Sequence, residues 1–270
     1  MNQTEEAVIS TLVYFDLLNR PLTNIELFRF LNKPPSDQPQ LSFGQFLSLL
    51  KNIAGQTSLV KEYQGFYFLK EADEKQLFGL RQKRTKVSQL KWKRAKRIAR
   101  ILELTPFLEM IGITGSLSLD NALEESDIDL LIALEPGRLW IGRLWVTIIL
   151  SLCGLRRHHQ KTKDRACLNC YLASPSLEIQ PYAKPHDLHS AQEYGRLICL
   201  WQSEQNNFSY FQSANAWINK FLVNYPWPDK ANPKTAKANP LLAFIRGALE
   251  YPLARSFGDW LERRLGNWQI

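Results

Sequence analysis

Apolar and polar positions recur along this chain with two periods, and the points where the period changes mark the expected elements. Residues 5–19 place Val8, Leu12, Phe15 and Leu18 on one helical stripe. Pro21 ends it, and Thr23 or Asn24 is placed to cap a short helix running to Leu31. Pro34 and Pro35 open a loop. Residues 42–53 form a third helix with Phe43, Phe46, Leu47 and Leu50 inward, and residues 59–63 and 66–69 form two strands around Gln64-Gly65. Residues 72–104 read as one long helix, with Val87, Leu90, Ile98 and Leu102 on its buried side and Pro106 behind its end. Residues 110–114 form a short buried strand, residues 116–122 one or two helical turns, and residues 126–133 a second strand. The apolar stretch 137–155 is interrupted by Arg143 and is shorter than the ~20 residues of a membrane span, so it reads as a buried helix. Residues 166–172 and 177–181 suggest a hairpin across Ser174-Pro175-Ser176. Residues 188–201 and 210–223 read as helices, and residues 226–240 as a linker rich in Pro, Lys and Asn. Residues 241–267 are amphipathic, with a break near Pro252, and carry Trp260 and Trp268.

This order predicts an α/β (α+β) chain with a mixed-sheet core and flanking helices, preceded by a small domain of three helices and a hairpin and followed by C-terminal helices. The expected divisions are 1–70, a basic linker helix 71–105, a central domain 106–225, a linker 226–240 and a C-terminal helix 241–270.

Charge sharpens the picture. The net charge is +8, distributed in blocks. Residues 71–110 carry +6, residues 111–135 carry six acidic groups and no basic one, and residues 136–165 again carry +6. An acidic segment between basic ones suits a site where carboxylates hold a cation while nearby Lys and Arg attract polyphosphate or nucleic acid. Lys86, Lys93, Arg97 and Arg100 share one face of the long helix. The third helix of the N-terminal region has Lys51 as its one charge, which suits protein contact or a dimer better than DNA. The four cysteines form no dense framework, and no secretory signal is visible, so a reducing cytoplasm is expected. Cys167 and Cys170, with His158 and His159 upstream, resemble a zinc set. Residues three apart on a strand face opposite sides, which argues against shared ligation. In Pro185-His186-Asp187-Leu188-His189, Asp187 is expected to cap the next helix, with His186 and His189 as phosphate or acceptor contacts.

The chemistry concentrates in Ile113-Thr114-Gly115-Ser116 and, after a short helical segment, Ser126-Asp127-Ile128-Asp129. Gly115 permits a turn closed to other residues, and N–H groups at a helix start favour an anion. Asp127 and Asp129, two apart on a strand, point to one face. Two such carboxylates repel unless a cation lies between them, and oxygen ligands suit Mg²⁺.

These residues resemble the nucleotidyltransferases of the DNA polymerase β superfamily, particularly the minimal ones: a strand, Gly-Ser, a short helix, then Ser-Asp-x-Asp. Gly115, Ser116, Ala122, Ser126, Asp127 and Asp129 carry the match, while Ser118-Leu119-Asp120 stands where small members often have Ala-Arg-Gly. The whole chain also looks like bacterial proteins joining an N-terminal winged helix to such a domain. The resemblance implies a nucleotidyltransferase core that uses Mg²⁺ (or Mn²⁺) and a nucleoside triphosphate such as ATP. Asp127 and Asp129 would hold the metal, and Gly115, Ser116 and Ser126 would contact the nucleotide. It also implies a third carboxylate on a later strand, helping to deprotonate the acceptor. Asn169 and Glu178 are the two candidates, and Glu178 has the chemistry of a base. The implied reaction moves a nucleoside monophosphate onto a hydroxyl of a protein, small molecule or RNA. The alternative is a non-catalytic regulator that senses nucleotide or binds DNA, and a third option is an RNA-binding module using the basic helix. A homodimer fits, and no membrane partner is expected.

Overall fold

The computed structural model describes residues 3–33, 41–56, 59–159, 161–173, 177–184, 187–203, 207–227 and 234–269. The chain divides into two compact units. The first comprises Met1–Lys86, Ala183–Gly195 and Ala216–Pro228, and the second Val87–Tyr182, Arg196–Asn215 and Asp229–Ile270. The division is not colinear with the sequence: 183–195 and 216–225 of the expected central domain, with 226–228 of the expected linker, belong to the first unit.

The first unit begins with α1 (Gln3–Asp16), β1 (Leu22–Thr23), α2 (Asn24–Arg29), α3 (Phe43–Gln56), β2 (Val60–Tyr63) and β3 (Phe66–Leu69). The three strands form an antiparallel sheet in the order β1-β3-β2. Thr23 caps α2 in a capping box with Glu26. Arg20 and Arg81 both reach Glu26, at 2.6 and 2.7 Å. The later segments are stitched in by Gln192, whose Nε2 donates to the Phe30 carbonyl and Asn32 Oδ1, and by the bridge between Asn32 and Leu222.

The long helix α4 (Glu74–Leu102) leads into the second unit, which continues with β4 (Leu108–Ile113), α5 (Gly115–Ser118), β5 (Ile128–Leu134), α6 (Leu139–Leu152) and β6 (Ala166–Ala173). After α7 (Leu188–Gly195), which belongs to the first unit, come β7 (Ile198–Gln202), α8 (Asn207–Ala214), α9 (Pro240–Leu253) and α10 (Ser256–Gln269). The sheet is mixed, in the order β6-β5-β4-β7. β4 is antiparallel to both neighbours, and β5 runs parallel to β6 through the α6 crossover. Leu130 to Leu134 are all buried, so both faces of β5 are covered. Each such large side chain contributes roughly 1.5–3 kcal/mol. Gly142 lets α6 lie against β5, because a Cβ there would sit 2.4 Å from the Leu134 side chain.

Several elements differ from expectation for identifiable reasons. Residues 188–201 are not one helix: α7 stops at Gly195, and Ile198–Gln202 is a strand on the edge of β4. A short apolar run buried on both faces has no period by which to tell strand from helix. Residues 177–181 form no strand. The Asn215 side chain satisfies the backbone there, accepting from the Ile179 N–H and donating to the Leu177 carbonyl, both at 2.8 Å. The expected turn at Ser174-Pro175-Ser176 lies outside the described residues. Residues 210–223 divide into α8 and a 3-10 turn at Ala216–Lys220. Part of the expected linker is packed: Ala236 donates to the Leu200 carbonyl at 2.7 Å and Thr235 to that of Cys199 at 2.8 Å, extending the sheet edge. On α4 the buried side is set by Ser88, Lys91, Trp92, Ala95, Ile98 and Leu102, while Leu90 is 62% exposed. No helix is long and apolar enough to cross a membrane, among the described residues.

Candidate functional site

The site lies where β4 hands over to α5, beside the starts of β5 and β6. Gly115 has φ +64°, and a Cβ on it would fall 2.3 Å from Asp129 Oδ2. Glycine is therefore required twice, for the left-handed turn and for the approach of the carboxylate. The turn is tied down by the Ser118 hydroxyl donating to the Gly115 carbonyl at 2.8 Å and the Thr114 N–H donating to the Asp129 carbonyl at 3.2 Å.

Asp127 precedes β5, and Asp129 lies within it. Their carboxylate oxygens and the Cys167 sulfur all lie within 4.8 Å of one another. Parallel pairing places Cys167 opposite Asp129, and a bulge in β6 follows before Cys170 pairs with Leu131. Strict alternation therefore does not hold between the two cysteines, and Cys167 joins the cluster through its register with Asp129. The Asn169 amide donates to Asp129 Oδ1 at 2.6 Å, while its oxygen accepts from the Cys167 thiol at 2.7 Å. Arg157 completes the arrangement, donating to Asp127 Oδ2 at 2.5 Å and to the Cys167 sulfur at 3.2 Å. These contacts to Cys167 and Asp127 hold the guanidinium pKa above its ordinary value. Burial pushes the Cys167 thiol up, so it is protonated at neutral pH despite the arginine. Beside these groups opens a cleft of ≈330 Å³ lined by Arg156, Arg157, His158, His159, Cys167 and Asn169, among others.

A second tier holds the loops. Lys91 is 1% exposed. Its ammonium donates to the carbonyls of Glu124 and Ser126 and to Asp164 Oδ1, at 3.0, 2.7 and 2.8 Å, which satisfies all three protons. Arg94 also pairs with Asp164. This clasp fixes the turn before Asp127 against the loop before β6. Apolar periodicity hid Lys91, since its burial follows from polar partners far away in sequence.

The expected site residues are thus placed as follows. Gly115, Asp127 and Asp129 are brought together, with Ser116 next in the turn. Ser126 is engaged differently from expectation: its hydroxyl accepts the Leu123 N–H at 3.0 Å and closes the 123–126 turn. Glu178 is not in the cluster. It follows β6 in a segment without regular structure, between the buried Leu177 and Ile179, and the neighbour that reaches Asp129 is Asn169. Glu178 is displaced because the expected second strand of the hairpin does not form. His189 lies in the first unit, where its Nδ1 meets the Tyr14 hydroxyl at 2.9 Å. Asp187 caps α7, accepting from the His189 N–H and the Ser190 hydroxyl. The Ser190 contact above all holds the Asp187 carboxyl below its usual range. His186 lies outside the described residues.

The donor set fits a hard divalent cation. Two carboxylates converge, their mutual repulsion is presently offset by a guanidinium, and the neighbouring sulfur is a neutral thiol. Such a pair leaves coordination positions for water and phosphate oxygens, the usual arrangement for Mg²⁺ or Mn²⁺ with a nucleotide. Comparison with family models, curated proteins and solved structures finds no match for the chain.

Proposed function

We propose that the second unit is an Mg²⁺- or Mn²⁺-dependent nucleotidyltransferase that moves a nucleoside monophosphate from a triphosphate, ATP foremost, to a hydroxyl of a protein, small molecule or RNA. The observation that carries this reading is the convergence of Asp127 and Asp129 against the Gly115 turn. The two aspartates would hold the cation, which would offset the charge of the phosphates. Arg157, released from Asp127, turns toward the polyphosphate, and Arg156, His158 and His159 line the cleft beside it. Asn169 keeps Asp129 oriented by donating to one of its oxygens, which leaves the other turned to the glycine side. Transfers of this type depend mainly on positioning and electrostatic stabilisation.

A second reading rests on two particular observations. The side chain that meets Asp129 from β6 is the Asn169 amide, and an amide is no base. Arg157 already supplies a positive charge to Asp127. Both features favour a nucleotide sensor without turnover. One experiment separates the readings. The full chain is incubated with Mg²⁺ or Mn²⁺, α-labelled triphosphates and cell extract, alongside calorimetric titration with ATP. Label transfer lost in Asp129→Ala supports the transferase. Metal-dependent binding without transfer supports the sensor. Absence of both results rules out a nucleotide at this site.

A further inference from the structure

The first of the two C-terminal helices, α9, turns charge inward and apolar side chains outward. On α9 the charged side chains Arg246 and Glu250 turn inward. Arg246 lies over the Trp201 ring with its side chain 16% exposed, and Glu250 accepts the Phe107 N–H at 2.7 Å. The outward positions are Leu241, Phe244, Ile245, Ala248 and Tyr251, a run at helical spacing without a charge. Phe244 is 76% exposed and Tyr251 66%. The next helix does so only in part: Leu261 and Leu265 pack inward beside Ile141 and Leu253, and Arg263 and Arg264 face out. On α10, Glu262 turns inward to accept the N–H groups of Trp140 and Ile141, both at 2.9 Å, while Phe257 and Trp260 stack on each other at the surface. A surface helix normally does the reverse, placing its charges in water and its apolar stripe on the core.

We propose that the outer side of α9 and α10 is the face through which two copies of this chain associate about a twofold axis. Size is the first argument. An aromatic side chain can bury about 150–250 Å², and seven large exposed apolar side chains on these helices present on the order of 800 Å² together. The largest apolar patch of a typical monomer is about 300–600 Å². A standard interface takes roughly 800 Å² from each partner. Composition is the second argument. Tyr251 carries Arg255 over its ring at 5.0 Å, and Trp260 carries Arg264 at 5.8 Å. Tyr, Trp and Arg are the residue types that dominate interface energetics. The balance of charge is the third. The rim has exposed Asp259 as well as Arg255, Arg263 and Arg264, so both signs are present for a self-complementary, isologous contact. An anionic lipid surface is matched less well, since the acidic Asp259 stands exposed among the three arginines.

Sedimentation velocity of the full chain across the micromolar range tests this. The expected result is a concentration-dependent dimer whose dissociation constant rises about 100-fold or more in the double variant Phe244→Asp, Tyr251→Asp, the effect of removing central anchors. Measured well below the wild-type dissociation constant, where both proteins are monomeric, the thermal midpoint of that variant stays unchanged, because both side chains are exposed. A chain that is monomeric throughout, or a dimer that the double variant leaves intact, overturns the proposal. Flotation with vesicles containing phosphatidylserine is run in parallel. A monomeric chain that floats, and stops floating in the double variant, overturns it in favour of a lipid surface. The outcome is independent of nucleotide binding at Asp127 and Asp129.

Discussion

The second unit uses two sets of carboxylates, and they are held in different ways. Glu103, Glu250 and Glu262 accept backbone N–H groups, those of Asn239, Phe107, and Trp140 with Ile141. Backbone donors cannot swing away, so these glutamates act as pins that fasten α9, the start of β4 and the start of α6. Asp127 and Asp129 are met by the side chains of Arg157 and Asn169, and Arg157 is 46% exposed. A partner of that kind can leave when a better cation arrives. The contrast is one of partners: mobile side chains meet the paired aspartates, and fixed backbone donors meet the glutamates.

The largest effect expected from probing this contrast is at the turn on which Asp129 rests. Gly115→Ala forces a Cβ into the left-handed region and onto the carboxylate, and should cost about 2–4 kcal/mol in chemical denaturation as well as ligand binding. A stability loss under ~0.5 kcal/mol would show that the turn is not coupled to Asp129.

Titration sharpens the comparison on β6, where the buried Cys167 faces the aspartates and Cys170 is half-buried. Burial pushes the Cys170 thiol up to about 11. Between pH 9 and 11 the unfolded chain then releases the proton that the folded chain keeps, so stability falls as pH rises. Relative to Cys170→Ala, the wild type should lose about 2–3 kcal/mol across that window and nothing between pH 6 and 8. Parallel melting curves of the two proteins would reveal the difference.

Glu262→Ala and Asp127→Ala compare the two sets directly. The first strips two N–H groups at the start of α6 of their acceptor and should cost about 1–3 kcal/mol. The second removes one partner of a half-exposed ion pair and relieves repulsion with Asp129, so its melting should stay within ~0.5 kcal/mol of wild type. Equal losses would erase the distinction between pins and exchangeable groups.

The smallest expected effect is at Asn169. Asn169→Asp adds a third carboxylate to the cluster and should tighten Mn²⁺ binding about 10-fold by calorimetry. It should also lower metal-free stability slightly through repulsion. Weaker Mn²⁺ binding in this variant would place the cation elsewhere.

Much of the site was legible because it is local. Gly115, Asp127 and Asp129 lie within fifteen residues, and turn chemistry with strand alternation suffices to bring the two carboxylates to one face. The partners were not, because register between β5 and β6 decides them. Cys167 stands beside Asp129 through a parallel pairing made across α6, and the bulge that follows is invisible to periodicity. Charge concealed more. Lys91 reads as a solvated residue of a basic helix, whereas three oxygen partners make its burial tolerable. In the first unit the same long-range logic applies. Gln192 and Leu222 carry no signal that they close onto Asn32, so order alone assigns residues 183–195 and 216–225 to a central domain. The mixed α/β class and the first three helices were readable, because stripes and caps such as the Thr23–Glu26 box report on neighbours in sequence.

The central claim is that Asp127 and Asp129 together hold a divalent cation with a triphosphate. The most direct measurement is the binding of Mn²⁺ to the full chain by electron paramagnetic resonance, with and without ATP, for the wild type and for Asp129→Ala. The account predicts Mn²⁺ bound to the wild type more tightly when ATP is present, with that binding lost in the variant while its melting temperature is retained. Mn²⁺ binding that is absent in the wild type, or the same in the variant, would contradict it.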